Sequence, residues 1–137
     1  MQMRRWLLVG STLILLLVVY YAVWLVRAKL VERQHEAYYK ATLNSYNQVL
    51  PIGVSRGEVE AVLRSRHVSF LTFCCVDQEY TNTDIAKIGE EAKPWYCSEY
   101  NVYVEFQFSS GTNGFAPGDP SDRLKKIAIM RKLERCL

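Results

Sequence analysis

The sequence predicts an α+β fold: an N-terminal transmembrane helix, then two helices packed on a small antiparallel sheet of three to four strands. Three observations predict it. Trp6 to Val26 is a run of 21 residues without a charge. Residues 39–50 and 55–66 then space their apolar side chains at helical intervals. After Val68 the period changes to two and β-branched and aromatic residues take over. Runs of helix followed by runs of strand are the mark of α+β domains, with helices on one face of the sheet. The division expected is 1–26 for the tail and anchor, 27–50 for a juxtamembrane helix and 51–137 for a small α+β domain. Without the anchor about 110 residues remain, enough for one modest core.

The anchor comes first. At about 1.5 Å per residue the uncharged run spans roughly 31 Å, the thickness of a bilayer's hydrocarbon core. A cleaved signal peptide has a shorter apolar stretch and a small-residue cleavage site. This run leaves through Trp24-Leu25-Val26-Arg27 instead. A helix buried in a soluble core is rarely apolar all round. Trp6, Tyr20, Tyr21 and Trp24 stand near its ends, where aromatic belts form. Orientation is less directly written. Arg4 and Arg5 precede the run, and Arg27, Lys29, Arg33 and Lys40 follow it among Glu32 and Glu36, so basic residues alone do not favour export. Cysteines decide: Cys74, Cys75, Cys97 and Cys136 are an even number in a small unit, a pattern of oxidising compartments. The expectation is a single-pass protein of the inner membrane, N-terminus in the cytoplasm and domain outside.

Residues 27–50 hold no proline or glycine, so the helix is expected to continue into water. Tyr39, Leu43, Tyr46 and Leu50 form one stripe, which predicts docking on the domain. A dimerising coiled coil needs three or four heptads, and fewer than two are present. Pro51 and Gly53 end this helix. Ser55 and Glu58 have capping-box spacing, with an apolar face of Val54, Val59, Val62 and Leu63, and Arg56, Glu60, Arg64 and Arg66 expected to face water. Residues 68–76, VSFLTFCCV, read as a strand. Residues 77–97 read as polar and irregular, with one short apolar piece at 85–88. Val102, Val104, Phe106 and Phe108 alternate with polar residues and Tyr103, the clearest strand in the chain. Residues 109–122 form a turn-rich loop, and 124–133 a last strand.

The segment Gly53-Val54-Ser55-Arg56-Gly57-Glu58-Val59, with Leu63 one turn on, resembles the BamE (SmpA/OmlA) family and the related β-lactamase-inhibitor-protein-like fold. The motif likeness covers residues 45 to about 75 and the rest follows by element order alone. The resemblance implies a small helix-pair-on-meander domain of the bacterial envelope that binds other proteins. Members of that family are commonly lipid-anchored, and a Gly-Pro after their second helix is here Arg66-His67-Val68.

Chemistry-bearing residues are few. Cys74 and Cys75 are adjacent, and a nucleophile there would need His35 or His67 as base; no local signature supports one. Neighbours in a strand point to opposite faces, so the pair is poorly placed to chelate one metal ion. Glu79, Asp84, Glu90, Glu91 and Glu99 crowd the middle of the chain without a sign of a cleft. Arg56, Arg64, Arg66, Lys125, Lys126, Arg131, Lys132 and Arg135 are a possible phosphate-binding set. With strand-forming residues after the 55–66 helix and a net charge of only +3, no recognition helix and no nucleic-acid partner is expected. No catalytic, cofactor or metal residue is therefore assigned. Trp95, Tyr96, Tyr100 and Tyr103 are the aromatic candidates for an interface.

A disulfide between Cys97 and Cys136 follows from strand register. If Phe108 sits opposite Arg123, Cys97 faces about residue 134, two positions from Cys136. Cys74 and Cys75 then supply a buried thiol or a second bridge, since four cysteines allow three connectivities. The function expected is a non-enzymatic, membrane-anchored binding or scaffolding domain, with the bilayer and a protein as partners. The alternatives are an inhibitor or immunity-type protein that blocks a hydrolase, and a membrane protein with its domain in the cytoplasm.

Overall fold

The structure, a computed structural model, describes residues 2–73, 82–109 and 118–137, with side chains from Ile14 onward. Helix α1 spans Gln2–Val49 and α2 spans Arg56–Ser65; strands follow at β1 Phe70–Phe73, β2 Asn82–Glu90, β3 Cys97–Ser109 and β4 Arg123–Cys136. The fold is α+β, with one long apolar N-terminal helix, one short helix and a four-stranded antiparallel meander in the order β1-β2-β3-β4. The chain divides into two compact units, Met1–Tyr38 and Tyr39–Leu137.

The first unit is helical throughout its described length. From Ile14 to Val26 its large side chains are exposed on every side of the helix. The helix is long and apolar enough to cross a membrane.

In the second unit the Tyr39, Tyr46 and Leu50 stripe is buried, and Leu43 packs against the same core. The Tyr46 ring meets Phe106 edge-on, centroids 5.3 Å apart. Tyr39 lies against Gly89, where a side-chain carbon would come 2.7 Å from its hydroxyl. Gly53 turns the chain at φ +91°, a conformation open to glycine. Its N–H then donates to the Leu124 carbonyl at 2.8 Å, and the Leu124 N–H donates to Val54 at 2.9 Å, fastening the inter-helix turn to β4. The capping box at Ser55 and Glu58 forms: the Ser55 N–H donates to the Glu58 carboxylate at 3.0 Å, and the serine hydroxyl turns to the same group. His67, in the left-handed region at φ +55°, ends the helix, and the Val68 N–H returns to the Leu63 carbonyl at 3.0 Å.

Val102, Val104, Phe106 and Phe108 share one face of β3 and are fully buried, the last three in one core with Tyr46, Val59 and Leu63; Asn101, Tyr103 and Glu105 on the other face are buried as well, so burial does not alternate as the sequence does. Two sequence expectations are corrected. Residues 82–90, read as irregular, form the nine-residue strand β2. Its first five residues are all buried, polar and apolar alike, so no alternation shows in the sequence. The expected strand 68–76 is present as 70–73; Cys74, Cys75 and Glu79 lie outside the described residues.

The β3–β4 register also differs by two. Phe108 pairs with Leu124, and a shift between Gln107 and Phe108 adds another step, so Phe106 faces Ile127 and Cys97 faces Cys136 directly. The disulfide Cys97–Cys136 closes there, with Cα atoms 4.0 Å apart and a sequence separation of 39.

Candidate functional site

The most concentrated chemistry in the domain lies where sequence reading placed water. Arg56 occupies the first turn of α2, on the stripe of Val59 and Leu63, and is wholly buried. A cation at a helix N-terminus opposes the macrodipole and needs compensation. Asp84, on the core face of β2, supplies it with both oxygens: one lies 3.2 Å from Arg56 Nε and the other binds Nη2. The Thr72 hydroxyl of β1 donates to the same carboxylate at 2.8 Å and accepts from Arg56 Nη2 at 3.1 Å. Asp122, just before β4, stands 3.7 Å from Nη1 and accepts from the Asn82 amide at 2.9 Å. Phe108 closes the set, its ring centroid 5.0 Å from the guanidinium carbon. Burial pushes the Asp84 carboxyl above the ordinary range, against hydrogen bonds from Thr72 and Arg56 that favour its charge. Arg56 and Asp84 expose no surface, and Thr72 reaches them from the exposed strand β1. What it does is tie α2, β1, β2 and the 118–122 turn to one cation.

The opposite end of the sheet is open. Residues 94–97 form a turn whose Cys97 N–H donates to the Pro94 carbonyl at 3.1 Å, and the disulfide pins its end to β4. Trp95 sits on this turn, 91% exposed, with Tyr96 edge-on at 5.9 Å. They border a shallow cleft of about 390 Å³ shared with Lys93, Arg135 and Leu137.

The four aromatic candidates do not form one patch. Tyr100 and Tyr103 lie at odd spacing on β3 and therefore on opposite faces. Tyr103 is buried, its hydroxyl donating to Glu134 at 3.0 Å; burial and that neighbour raise its pKa. Only Trp95 and Tyr96 present a joint aromatic surface. The acidic candidates are also dispersed. Asp84 belongs to the buried cluster, Glu90 pairs with Lys87, Glu91 with Arg131 at 2.9 Å, and Glu99 with Arg135 at 3.2 Å. Glu99 and Glu134 face each other across β3 and β4, and the Asn101 amide donates to both, at 2.9 and 3.1 Å.

The basic set is likewise divided. Arg56 is buried; Arg64 pairs with Glu60, and Arg66 lies over the Tyr46 ring, 4.8 Å from its centroid. Among the described residues no group of three or more His, Cys, Asp or Glu is placed to hold a metal ion. No family model, curated protein or solved structure matches the chain.

Proposed function

We propose that this chain is a single-pass membrane protein whose second unit is a non-enzymatic binding or scaffolding domain held at the outer face of the inner membrane. One contrast carries the proposal. An apolar helix exposes its large side chains all round, while the second unit closes on its own buried core. Water penalises the first and lipid does not. The Cys97–Cys136 bridge supports placing the domain in an oxidising compartment. The envelope-scaffold role that the BamE-like segment implies is the form of binding proposed.

The test is a paired reporter fusion at Leu137 followed by capture of partners with the detergent-solubilised full chain. Activity of the reporter that works outside the cytoplasm, and a stoichiometric envelope protein in the eluate, are expected. Activity only of the cytoplasmic reporter contradicts the orientation. Turnover of a substrate by the purified chain contradicts the binding role.

A further inference from the structure

The Tyr39–Leu50 stripe of α1, too short for a coiled coil, is used up in the core of the second unit. A different line runs along the same helix before it. From Ile14 it steps by three and four through Leu17, Tyr21, Trp24, Ala28 and Val31, and it ends at Tyr38. That is the spacing of the a and d positions of a heptad, with Ile14, Tyr21 and Ala28 at a. Residues 14–38 hold more than three heptads of it, the length at which such a pattern specifies a coiled coil. Every side chain from Ile14 to His35 is exposed.

Inside the apolar run every line along the helix is uncharged, so the pattern selects nothing there. Beyond the run it does. Six charged side chains stand between Arg27 and Lys40. Arg27 falls at g, Lys29 and Glu36 at b, Glu32 at e, and Arg33 and Lys40 at f. None falls at a or d. Val31 holds a d position in this stretch and is 49% exposed, past the point where lipid would cover it. His35 is the polar a position, the kind of residue that fixes register at some cost in stability. Tyr21 and Trp24, neighbouring a and d positions, stack with centroids 6.0 Å apart and give the line a continuous aromatic ridge.

The charges beside the line name its occupant. In a parallel pair of helices a g residue meets the e residue five positions further along the partner. Arg27 at g and Glu32 at e have that separation and opposite charge. Two copies side by side therefore form the Arg27–Glu32 pair on both flanks of the seam. Within one helix residues five apart are not facing neighbours. Among the described residues neither Arg27 nor Glu32 enters an ion pair. A parallel arrangement is also the one adopted by copies that the same anchor inserts in the same direction.

We infer that residues 14–38 are a self-association seam that pairs two copies of this chain in parallel, through the membrane and just beyond it. The seam rests on the membrane-anchor reading proposed above. A left-handed supercoil keeps a line of 3.5-residue period in contact on helices of 3.6 residues per turn. Pairing gives each assembly two copies of the second unit, so a partner with two sites is held by both.

The experiment uses the full chain in native membranes, with a benzophenone side chain at one position at a time and irradiation to cross-link it. Trp24 and Val31 report the seam; Lys29 and Arg33, at b and f, report the outer side. A product of about twice the 15.9 kDa chain mass is expected from both seam positions and clearly less from the outer ones. Read with the benzophenone at Trp24, Arg27→Glu is expected to lower that product roughly threefold, Glu32→Arg likewise, and the double reversal to restore it. Equal products from the two sides, no product, or a seam product with a different protein overturns the seam. A double reversal as weak as the single ones overturns the parallel register and the inference with it. The same membranes are washed with alkaline carbonate. A chain that stays in the membrane without a seam product leaves the anchor standing and removes the self-association alone. A chain that washes out removes the anchor reading and the seam together.

Discussion

The two ends of the sheet are held by opposite means. At the end near Phe108 and Asn82, a buried cation gathers two carboxylates and a hydroxyl from three segments, and the Asn82 amide holds one of those carboxylates. At the end near Cys97, a single covalent bond joins two neighbouring strands. The first device is non-covalent and centred on the wholly buried Arg56 and Asp84. The second constrains the unfolded chain whatever the packing around it. The difference explains why one end can be sealed and the other left open with Trp95 in solvent: the open end does not depend on a local core.

That contrast is sharpest when one member of the buried set is removed. Arg56→Ala leaves the buried Asp84 and Asp122 carboxyl groups without their cation, and is expected to destabilise the domain by about 3–5 kcal/mol. Thermal unfolding of the full chain in detergent, followed by tyrosine near-UV circular dichroism, reads it. Asp84→Ala should be comparably severe, and the double variant less severe than the sum, with a coupling of roughly 1–3 kcal/mol. Additive losses would mean that the cluster is not a unit.

Cys97→Ser with Cys136→Ser tests the other end. Opening the bridge should cost about 3–4 kcal/mol in the chain-entropy model. Hydrogen exchange should rise in the terminal part of the β3–β4 hairpin while Leu63 and Phe106 stay protected. Loss of protection at Arg56 as well would show that the two ends are not independent.

Gly89→Ala probes the ground between them. The added carbon meets the buried Tyr39 ring at 2.7 to 3.2 Å, so the ring must move, at an expected cost of about 1–3 kcal/mol. An unchanged melting temperature would show that the helix does not hold Tyr39 there.

The smallest effect is expected at Glu58. Hydrogen bonds from the Ser55 hydroxyl and N–H hold its carboxyl below the ordinary value of 4.5. A folded-state value below the unfolded one contributes stability above the ordinary carboxylate range, lost as the pH falls through the lower folded value. Glu58→Gln should therefore flatten the acid side of a plot of melting temperature against pH, with little change at pH 7 beyond that of the cap. An unaltered acid limb would remove Glu58 from the linkage.

Much of this architecture was legible where one physical rule dominates. The uncharged run, the Tyr39–Leu50 stripe, the capping pair and the apolar face of β3 each follow a single period or spacing, and each appears in the structure, although the second face of β3 is buried too. Strand β2 was hidden because burial on both faces removes alternation, and Asp84 and Asn82 are buried by virtue of partners far away in sequence. Arg56 was misplaced by residue type, although its spacing to Val59 and Leu63 carried the signal. A cation in the first turn of a helix, on the apolar stripe, is the pattern to look for. The Cys97–Cys136 pairing was legible within two residues: Phe108 faces Leu124 rather than Arg123, and the bulge beside Phe108 adds the second step.

The central claim is that an anchored domain stands in an oxidising compartment with its open end closed by one cross-strand bridge. Non-reducing peptide mapping of the full chain, taken from native membranes after free thiols are blocked, tests it most directly. The account predicts a disulfide-linked pair of peptides containing Cys97 and Cys136. Cys97 recovered as a blocked free thiol, or joined to Cys74 or Cys75, would contradict the compartment in the first case and the β3–β4 register in the second.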